Sequence, residues 1–438
     1  MRRRRRPARR LRPAERGPDL TAWYSHPSAL FLGGNEVKLH TGGDSLFPAM
    51  IRAIDAARHE VWLAMYIFHD DATARRVADA LTAAARRGVR VRVVVDGFGT
   101  RAELPTLRRW WQGEAVALAV FRPIDRWYAF LQPGQFRRMH QKICVVDRDV
   151  GFVGGINIID DRIDLRHGED ETPRLDFAVE VRGPLVLPME QTARAMWTRA
   201  AFGHDWREEV KALARSARPV QRARHLLHRL RIMPAPQEML PGLGDERPVR
   251  AALVVRDNLR QRSAIERSYI EAFRRAQARI DIVCPYFYPG RLFRRTLREA
   301  TRRGVKVRLL LQGKLDYRIA GLAASVLYDE LLSNGVRVFE YTPAFLHAKI
   351  AMVDDDWATV GSSNIDPLSL LLNLEANVIV SDPHFSRELT SRFEQALAVS
   401  KEVTAAPLPR GWWATVRRAF VAWGAMVYLR MAGITRPY

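Results

Sequence analysis

The stretch MHQKICVVDRDVGFVGGIN (residues 139–157) occurs a second time in the chain, in altered form, as LHAKIAMVDDDWATVGSSN at residues 346–364. Both copies keep the pattern H-x-K-x4-D-x6-G-[GS]-x-N. One histidine–lysine pair on a strand is common, but a duplicated pair whose neighbours stay in register indicates a repeated functional unit.

The repeat extends upstream of both motifs. The first copy runs through PAMIRAIDAARHE, VWLAMYIF and RRGVRVRVVVDG, and the second through RSYIEAFRRAQA, IDIVCPYFY and RRGVKVRLLLQG. In both, a helical pattern precedes an apolar strand, and a glycine (Gly88 or Gly304) stands where a helix C-cap would precede an alternating strand. This alternation predicts two similar α/β layered halves packed about a pseudo-twofold axis.

The length of 438 residues fits two large domains. A stretch rich in proline and glycine, APQEMLPGLGDERP (residues 235–248), marks the boundary between them. The predicted organisation is a basic, disordered tail at 1–30, a first half at 31–205, a basic helical connector and linker at 206–248, a second half at 249–402 and an amphipathic segment at 403–438.

Charge and cysteine content narrow the class of protein. The formal charge of +22 points to an anionic partner, which could be nucleic acid, anionic lipid or a phosphorylated substrate. The chain has only two cysteines, both in apolar runs, which argues against a disulfide scaffold and fits a reducing compartment. No stretch reaches the roughly 18 consecutive apolar residues of a membrane-spanning helix, and no signal peptide is recognisable, so we expect neither secretion nor a membrane span.

The repeated motif combines groups suited to phosphoryl chemistry. Side chains alternate along a strand, so His140 and Lys142 should project to one side, as should His347 and Lys349. An imidazole can attack, take or give a proton near neutral pH, and an ammonium binds phosphate as a point charge. Further donors to phosphoryl oxygens are predicted at four positions, namely Asn157, Asn364, Gly155 and Ser362.

Two such sites facing each other suggest a covalent mechanism. One histidine would attack phosphorus while the other protonates the departing oxygen and then deprotonates the incoming acceptor. Asp147 and Asp354 differ in strand parity from the histidines, so we expect them to fix a turn or hold a basic partner. A metal site is disfavoured, because lysine is a poor ligand and no second histidine or cysteine stands at ligand spacing.

Each histidine also needs a partner for its other ring nitrogen. Asp176 and Glu375 occupy matching places in the strands RLDFAVEVRGP (174–184) and NLEANVIVSDP (373–383). A carboxylate inside an apolar strand is costly unless it is paired. We therefore expect each carboxylate to orient the histidine of its own copy, Asp176 with His140 and Glu375 with His347.

The doubled motif is similar to the signature of the phospholipase D superfamily. Within it, VRDN (255–258), PYFYPG (285–290), RRGVKVRLLLQG (302–313) and DWATVGSSNIDPLSLLLNLEANV (356–378) resemble bacterial cardiolipin synthases of the type without N-terminal transmembrane helices. The resemblance covers about residues 34 to 400 and is more specific in the second half. It implies two α/β/α layered halves with mixed sheets.

The resemblance also implies a reaction, in which two phosphatidylglycerols give cardiolipin and glycerol with no metal or organic cofactor. His140 and His347 would then be nucleophile and acid/base, in an order that the sequence leaves open, and Lys142 and Lys349 would grip the phosphodiester. Asp147 and Asp354 are members of the family's catalytic motif, although their parity favours a supporting role. The copies differ where Gly155 becomes Ser362.

A lipid-using enzyme without a spanning helix must dock on a bilayer. The C-terminal segment has an apolar run at residues 419–429, too short to span, flanked by arginines and tryptophans, as is typical of a helix lying at an anionic membrane surface. RRWW (108–111) and FRPIDRWYAFLQPGQFRR (121–138) are candidates for the substrate entrance. We expect a peripheral protein on the cytoplasmic side of a bacterial cell membrane.

Two other functions remain open from the sequence. The basic charge also suits a phosphodiesterase or nuclease of the same superfamily, although the aromatic, acid-free C-terminus favours lipid over nucleic acid. A basic scaffold with an inactive site is a third possibility, which the two intact motifs disfavour. The acceptor (phosphatidylglycerol, phosphatidylethanolamine, another alcohol or water), the oligomeric state and the role of the arginine-rich tail cannot be read from the sequence.

Overall fold

The structure is a computed structural model that describes residue 24 and residues 28–124, 137–164, 168–204, 249–257, 261–313 and 327–404. Most of the predicted N-terminal tail, the whole connector and nearly all of the C-terminal amphipathic segment lie outside these residues. So does the middle of the predicted entrance, at 125–136. None of the described helices is long and apolar enough to cross a membrane.

The two halves share a common series of strands and helices, to which each half adds elements of its own. The first half has β1 (Leu32–Thr41), α1 (Gly43–Ala56), β2 (Glu60–Met65), α2 (Ala72–Arg86), β3 (Arg90–Asp96), α3 (Leu104–Trp110), β4 (Val116–Phe121), β5 (Ile143–Val146), β6 (Val150–Gly154), β7 (Ile163–Asp164), β8 (Gly168–Glu169), β9 (Phe177–Arg182) and α4 (Val186–His204). The second has β10 (Val249–Arg256), α5 (Ala264–Arg275), β11 (Arg279–Val283), α6 (Arg291–Arg302), β12 (Lys306–Gln312), β13 (Arg337–Tyr341), β14 (Ile350–Val353), β15 (Trp357–Gly361), α7 (Pro367–Leu371), β16 (Glu375–Ser381), α8 (Pro383–Ala398) and β17 (Lys401–Val403).

The two half-sheets join into one mixed sheet of 15 strands, in the order β17-β13-β12-β11-β14-β15-β16-β10-β1-β9-β6-β5-β2-β3-β4. Outward from the central β10–β1 pair, six strands on one side correspond in order to six on the other, and β17 lies beyond them at one edge. That pair is antiparallel, with Leu32 opposite Ala251 and Asn35 opposite Val249. Pairing the two would-be edge strands leaves no open edge at the seam between the halves.

Both faces of the sheet are covered, which explains why its inner strands read as continuous apolar runs. In β5, Ile143 and Val145 face one core while Cys144 and Val146 face another. The first core runs beneath α4 and α8 across both halves, whereas α1 and α2 cover the opposite face of the first half and α5 and α6 that of the second. The predicted α/β/α architecture with mixed sheets is confirmed.

The glycines predicted at two helix ends are confirmed as well. Gly88 follows α2 and Gly304 follows α6, and each has a φ of 90°. A side chain is strained in that conformation, so glycine is the residue that lets each helix turn directly into the following parallel strand.

Each motif forms a β-hairpin that turns at an aspartate. Asp147 and Asp354 both have a φ of 51°, which aspartate tolerates better than most residues. The carboxylate of Asp147 accepts the backbone N–H groups of Arg58, His59 and Glu60, at 2.7 to 2.8 Å. That of Asp354 does the same for residues 277–279, at 2.8 to 3.0 Å. Each aspartate therefore ties its hairpin to the start of the neighbouring strand.

Replacing Asp147 by Ala should lower the free energy of unfolding by about 2 kcal/mol, because three charge-assisted hydrogen bonds disappear and Ala must adopt a positive φ. Asp149→Ala is the matched control, since Asp149 lies two residues away and makes an exposed ion pair with Arg182. Its loss should cost less than about 1 kcal/mol. Chemical denaturation followed by circular dichroism measures both, and equal midpoints would contradict the anchoring role of Asp147.

Candidate active site

The two motifs meet at the seam between the halves. The backbone N–H of His140 donates to Leu374 O at 2.9 Å, and that of His347 donates to Leu175 O at 2.9 Å. His140 therefore lies beside the residue that leads into β16, and His347 lies beside the stretch that leads into β9, each in the other half. The charges of Lys142 and His140 lower the pKa of His347, so the two histidines lie close together, and we call the place where they meet the cleft.

The histidine–carboxylate pairs cross between the halves. Nδ1 of His140 lies 3.1 Å from Oε2 of Glu375, and Nδ1 of His347 lies 2.6 Å from Oδ2 of Asp176. The predicted residue types do pair, but the prediction that each copy supplies its own carboxylate is wrong. The backbone contacts across the seam bring each histidine to the opposite strand instead. With Nδ1 engaged, Nε2 is the ring nitrogen left for a reacting atom.

The carboxylates are fully buried and held by further hydrogen bonds. Ser362 Oγ donates to Glu375 Oε2 at 2.5 Å and accepts from Ala376 N at 3.0 Å. In the other half, Asp176 Oδ1 accepts from Phe177 N at 2.8 Å. A Cβ on Gly155 would stand 2.2 Å from Asp176 Oδ1. We predicted Gly155 and Ser362 as phosphate-binding residues, but the structure places both against a carboxylate.

The two lysines lie beside the histidines in the cleft. Lys142 Nζ donates to His140 O at 2.7 Å, and Lys349 Nζ donates to His347 O. Burial lowers the pKa of Lys142 to about 7 and that of Lys349 to about 8, against the opposing attraction of Glu375 and Asp176 respectively. Each lysine lowers the pKa of the histidine in its own motif, which shows how closely the positive groups are gathered.

Burial also favours the neutral forms of both histidines and of Asp176. It lowers the pKa of His140, and it lowers that of His347 further because Lys349 and Arg174 add their positive charge. It raises the pKa of Asp176 to about 7. A neutral imidazole at neutral pH is the form that can attack an electrophile.

The remaining predicted residues divide into two groups. Asn157 and Asn364 are buried at the ends of the motifs, and Asn157 Oδ1 accepts from Ile67 N at 3.2 Å. That bond uses the oxygen of the Asn157 amide, so its NH₂ is the part suited to an anion, and the phosphate-binding role of both residues stays a prediction. Asp147 and Asp354 lie at the far ends of β5 and β14, where they bind backbone rather than the histidines. These contacts agree with the turn-fixing role that strand parity predicts for the two aspartates, and their place in the family's catalytic motif stays a prediction.

Sequence reasoning missed two residues around His140, namely Tyr66 and Asp96. The ring of Tyr66 packs edge-on against His140 at a centroid distance of 4.7 Å, with Lys142 Nζ 5.2 Å from the Tyr66 ring centre. Asp96 is completely buried, accepts from Met139 N at 2.9 Å and lies 3.9 Å from Arg138. The sequence feature that could have pointed to Asp96 is its position, because it is a carboxylate at the end of the apolar strand VRVVVD.

No group of three or more His, Cys, Asp or Glu side chains that could hold a metal occurs within the described ranges. The predicted independence from metals stays a prediction.

Comparison with known proteins decides the family. The family described as cardiolipin synthase with a phospholipase D-like domain matches residues 50–169 and 269–397, one match in each half. The chain is 35% identical over 396 residues to cardiolipin synthase B of Escherichia coli K12, covering 87% of this chain and 85% of the relative. The chain belongs to this family.

Two further comparisons are more distant. Cardiolipin synthase A of Pseudomonas putida is 30% identical over 374 residues, covering 85% of this chain and 71% of the relative. The crystal structure of phosphatidylserine synthase from Haemophilus influenzae has a TM-score of 0.63 at 13% identity, covering 93% of this chain and 97% of that one. At that identity the likeness concerns the fold alone, and it extends over both halves.

The crossed pairing can be tested by replacing Glu375 with Gln, which keeps the side-chain shape but removes the negative charge that raises the pKa of His140. The pKa of His140 should fall further, and that of His347 should hardly change. NMR titration of protein carrying ¹³C-labelled histidine measures both, with resonances assigned from His140→Asn and His347→Asn. A changed pKa at His347 alone would instead show that Glu375 pairs with the histidine of its own copy.

Oxyanion affinity should fall as pH rises through the lysine pKa values. Below pH 7 both ammonium groups are charged, whereas above pH 8 the empty site favours neutral amines. The dissociation constant of tungstate, whose charge is constant in this range, should therefore rise by up to about tenfold per pH unit for each linked proton. Calorimetry from about pH 6 to about pH 9 measures it, and Lys142→Met should weaken the dependence. A dissociation constant that does not change with pH in the unaltered protein would show that the charged lysines do not bind the anion.

Proposed function

We propose that this protein is a cardiolipin synthase that transfers a phosphatidyl group from one phosphatidylglycerol to the hydroxyl of a second, releasing glycerol. The observation that carries the proposal is the pair of histidines, one from each half, that share a cleft with two buried lysines. The names of its relatives support the same reaction. No cofactor enters the proposed chemistry.

The first step forms a covalent intermediate. Nε2 of one neutral histidine attacks phosphorus, so a P–N bond forms and the P–O bond to the headgroup glycerol breaks. The other histidine, as imidazolium, gives its proton to the departing oxygen and becomes neutral. The histidine that has given up its proton is thus ready to act as a base in the next step.

The second step reverses these roles with a new alcohol. The headgroup hydroxyl of a second phosphatidylglycerol loses its proton to the neutral histidine, its oxygen attacks phosphorus, and the P–N bond breaks. Cardiolipin leaves and both histidines return to their starting protonation states. The scheme needs two histidines on opposite sides of phosphorus, because one forms the P–N bond while the other gives and then takes the proton.

The crossed carboxylates and the lysines have separate parts in this scheme. Asp176 and Glu375 hold each imidazole by Nδ1, and their negative charge stabilises the imidazolium that forms. Lys142 and Lys349 are buried, so their interaction with a phosphodiester is little weakened by water. An incoming phosphodiester anion favours their protonated forms and therefore draws protons into the site.

Transfer to an alcohol rather than to water requires an enclosed site. The side chain of His140 is 12% exposed and that of His347 is 24% exposed, so only a narrow part of each ring can be reached. We propose that the protein works as a peripheral protein at the cytoplasmic face of a bacterial membrane, where a second lipid headgroup is always close.

The reaction itself is tested by incubating the full chain with vesicles of labelled phosphatidylglycerol and resolving the lipids by chromatography. We expect cardiolipin and an equal amount of glycerol. Phosphatidic acid as the main product would show a hydrolase. Cleavage of DNA or RNA with no change in the lipids would show the nuclease that the basic charge also allows.

Each histidine should be indispensable to this activity. His140→Ala and His347→Ala should each lower the rate by at least about a thousandfold, and the double variant should be little worse, because the two residues act as a unit. His384→Ala, at an exposed position in the first turn of α8, is the matched control and should keep full activity. Substantial turnover in either active-site variant would remove the two-histidine mechanism.

A further inference from the structure

Few large apolar side chains remain exposed in the described part of the chain, and most of them follow the ends of two sheet strands. Five such residues are exposed: Phe98 (50%), Tyr286 (40%), Tyr288 (38%), Leu292 (48%) and Val399 (57%). The first four follow the carboxyl ends of β3 and β11, and Val399 lies at the end of α8. We call these four residues the rim.

Phe98 belongs to the His140 side of the cleft. Its backbone N–H donates to Asp96 Oδ1 at 2.8 Å, and Asp96 Oδ2 accepts from Met139 N at 2.9 Å. One carboxylate therefore ties the loop of Phe98 to the residue before His140. The guanidinium of Arg138 lies 5.4 Å from the Phe98 ring centre.

Tyr286, Tyr288 and Leu292 belong to the other half. Tyr288 N donates to Ile365 O at 2.7 Å, directly after Asn364 of the second motif. Phe287, between the two tyrosines, is buried and packs against Phe293, so it anchors a loop whose neighbouring rings point outward. Leu292 lies in the first turn of α6, which begins directly after this loop. The rim therefore has members on both sides of the shared cleft.

The rim also carries positive charge. Arg101 is exposed and its backbone N–H donates to Phe98 O, and Arg291 is exposed next to Leu292. Exposed aromatic and aliphatic side chains next to arginines fit the headgroup layer of an anionic bilayer. Tyrosine in particular prefers that layer, because one end of its ring is apolar and the other is polar.

We propose that Phe98, Tyr286, Tyr288 and Leu292 insert into an anionic phospholipid bilayer and set the mouth of the cleft against the headgroup layer. The proposal deepens the proposed function, on which it rests, by naming the surface that meets the substrate membrane. Insertion on both sides of the cleft lets a phosphodiester pass from the headgroup layer to the histidines without crossing open water.

The chain allows a direct test, because its two cysteines, Cys144 and Cys284, are both buried. Single cysteines introduced by Tyr288→Cys, Phe98→Cys or, as the matched control, Val399→Cys can be labelled with a nitrobenzoxadiazole fluorophore. With phosphatidylglycerol-containing vesicles, the fluorescence at positions 288 and 98 should rise and shift to the blue, and that at 399 should not change. No response at 288 and 98 would overturn the proposal, as would an equal response at 399.

Activity provides a second readout. The double variant Tyr286→Ser/Tyr288→Ser should lower kcat/KM on phosphatidylglycerol vesicles by about tenfold, because two apolar anchors are lost. On a short-chain phosphatidylglycerol dispersed as monomers, its rate should stay within about twofold of the unaltered protein, and Val399→Ser should resemble the unaltered protein on both substrates. An equal loss on both substrates would show that the tyrosines serve the chemistry and not docking.

The outcomes separate the two proposals. A label response without any cardiolipin formation would leave the docking surface standing and remove the proposed reaction. Cardiolipin formation without a label response would leave the proposed reaction standing and remove the docking surface. A response that needs no vesicles and grows with protein concentration would show instead that the rim is a contact between copies of this chain, and would overturn membrane insertion.

Discussion

The hydrogen bonds from each histidine to a carboxylate of the opposite half are the interactions on which the site depends. They require the two motifs to lie at one seam, and the antiparallel pairing of β1 with β10 together with the backbone bonds at Leu175 and Leu374 places them there. Neither half holds a complete set of partners. The duplicated architecture is thus not two sites side by side but one site divided between two scaffolds.

Such a site is costly to bury. Two lysines, two histidines and two carboxylates leave water together, and an uncompensated charge among them would be strongly destabilising. The lowered pKa values of the lysines and the raised pKa of Asp176 show that the empty site relieves part of this cost by favouring neutral forms. In the proposed reaction an anionic substrate supplies the missing negative charge, so the groups that make the empty cleft unfavourable would be those that bind the phosphodiester.

The sequence predicts most of this arrangement, and its failures have physical causes. The repeat predicts the fold, and strand parity separates Asp147 and Asp354 from the reacting groups, as the structure shows. The crossed pairing was out of reach, because spacing within one copy carries no information about the register between copies. Tyr66 and Asp96 were missed for a related reason: Pro285 and Gln312 take their places in the second half, so a search for repeated residues passes over them.

The division of the site between two halves has a consequence for the protein as it is made. His140 and Glu375 are separated by 235 positions in the chain. When the first motif leaves the ribosome, the carboxylate that orients its histidine has not yet been synthesised. A nascent chain that ends before Glu375 therefore carries the first histidine and lysine without the carboxylate that orients the histidine. The proposed activity can arise only after the second half has been made and has folded against the first.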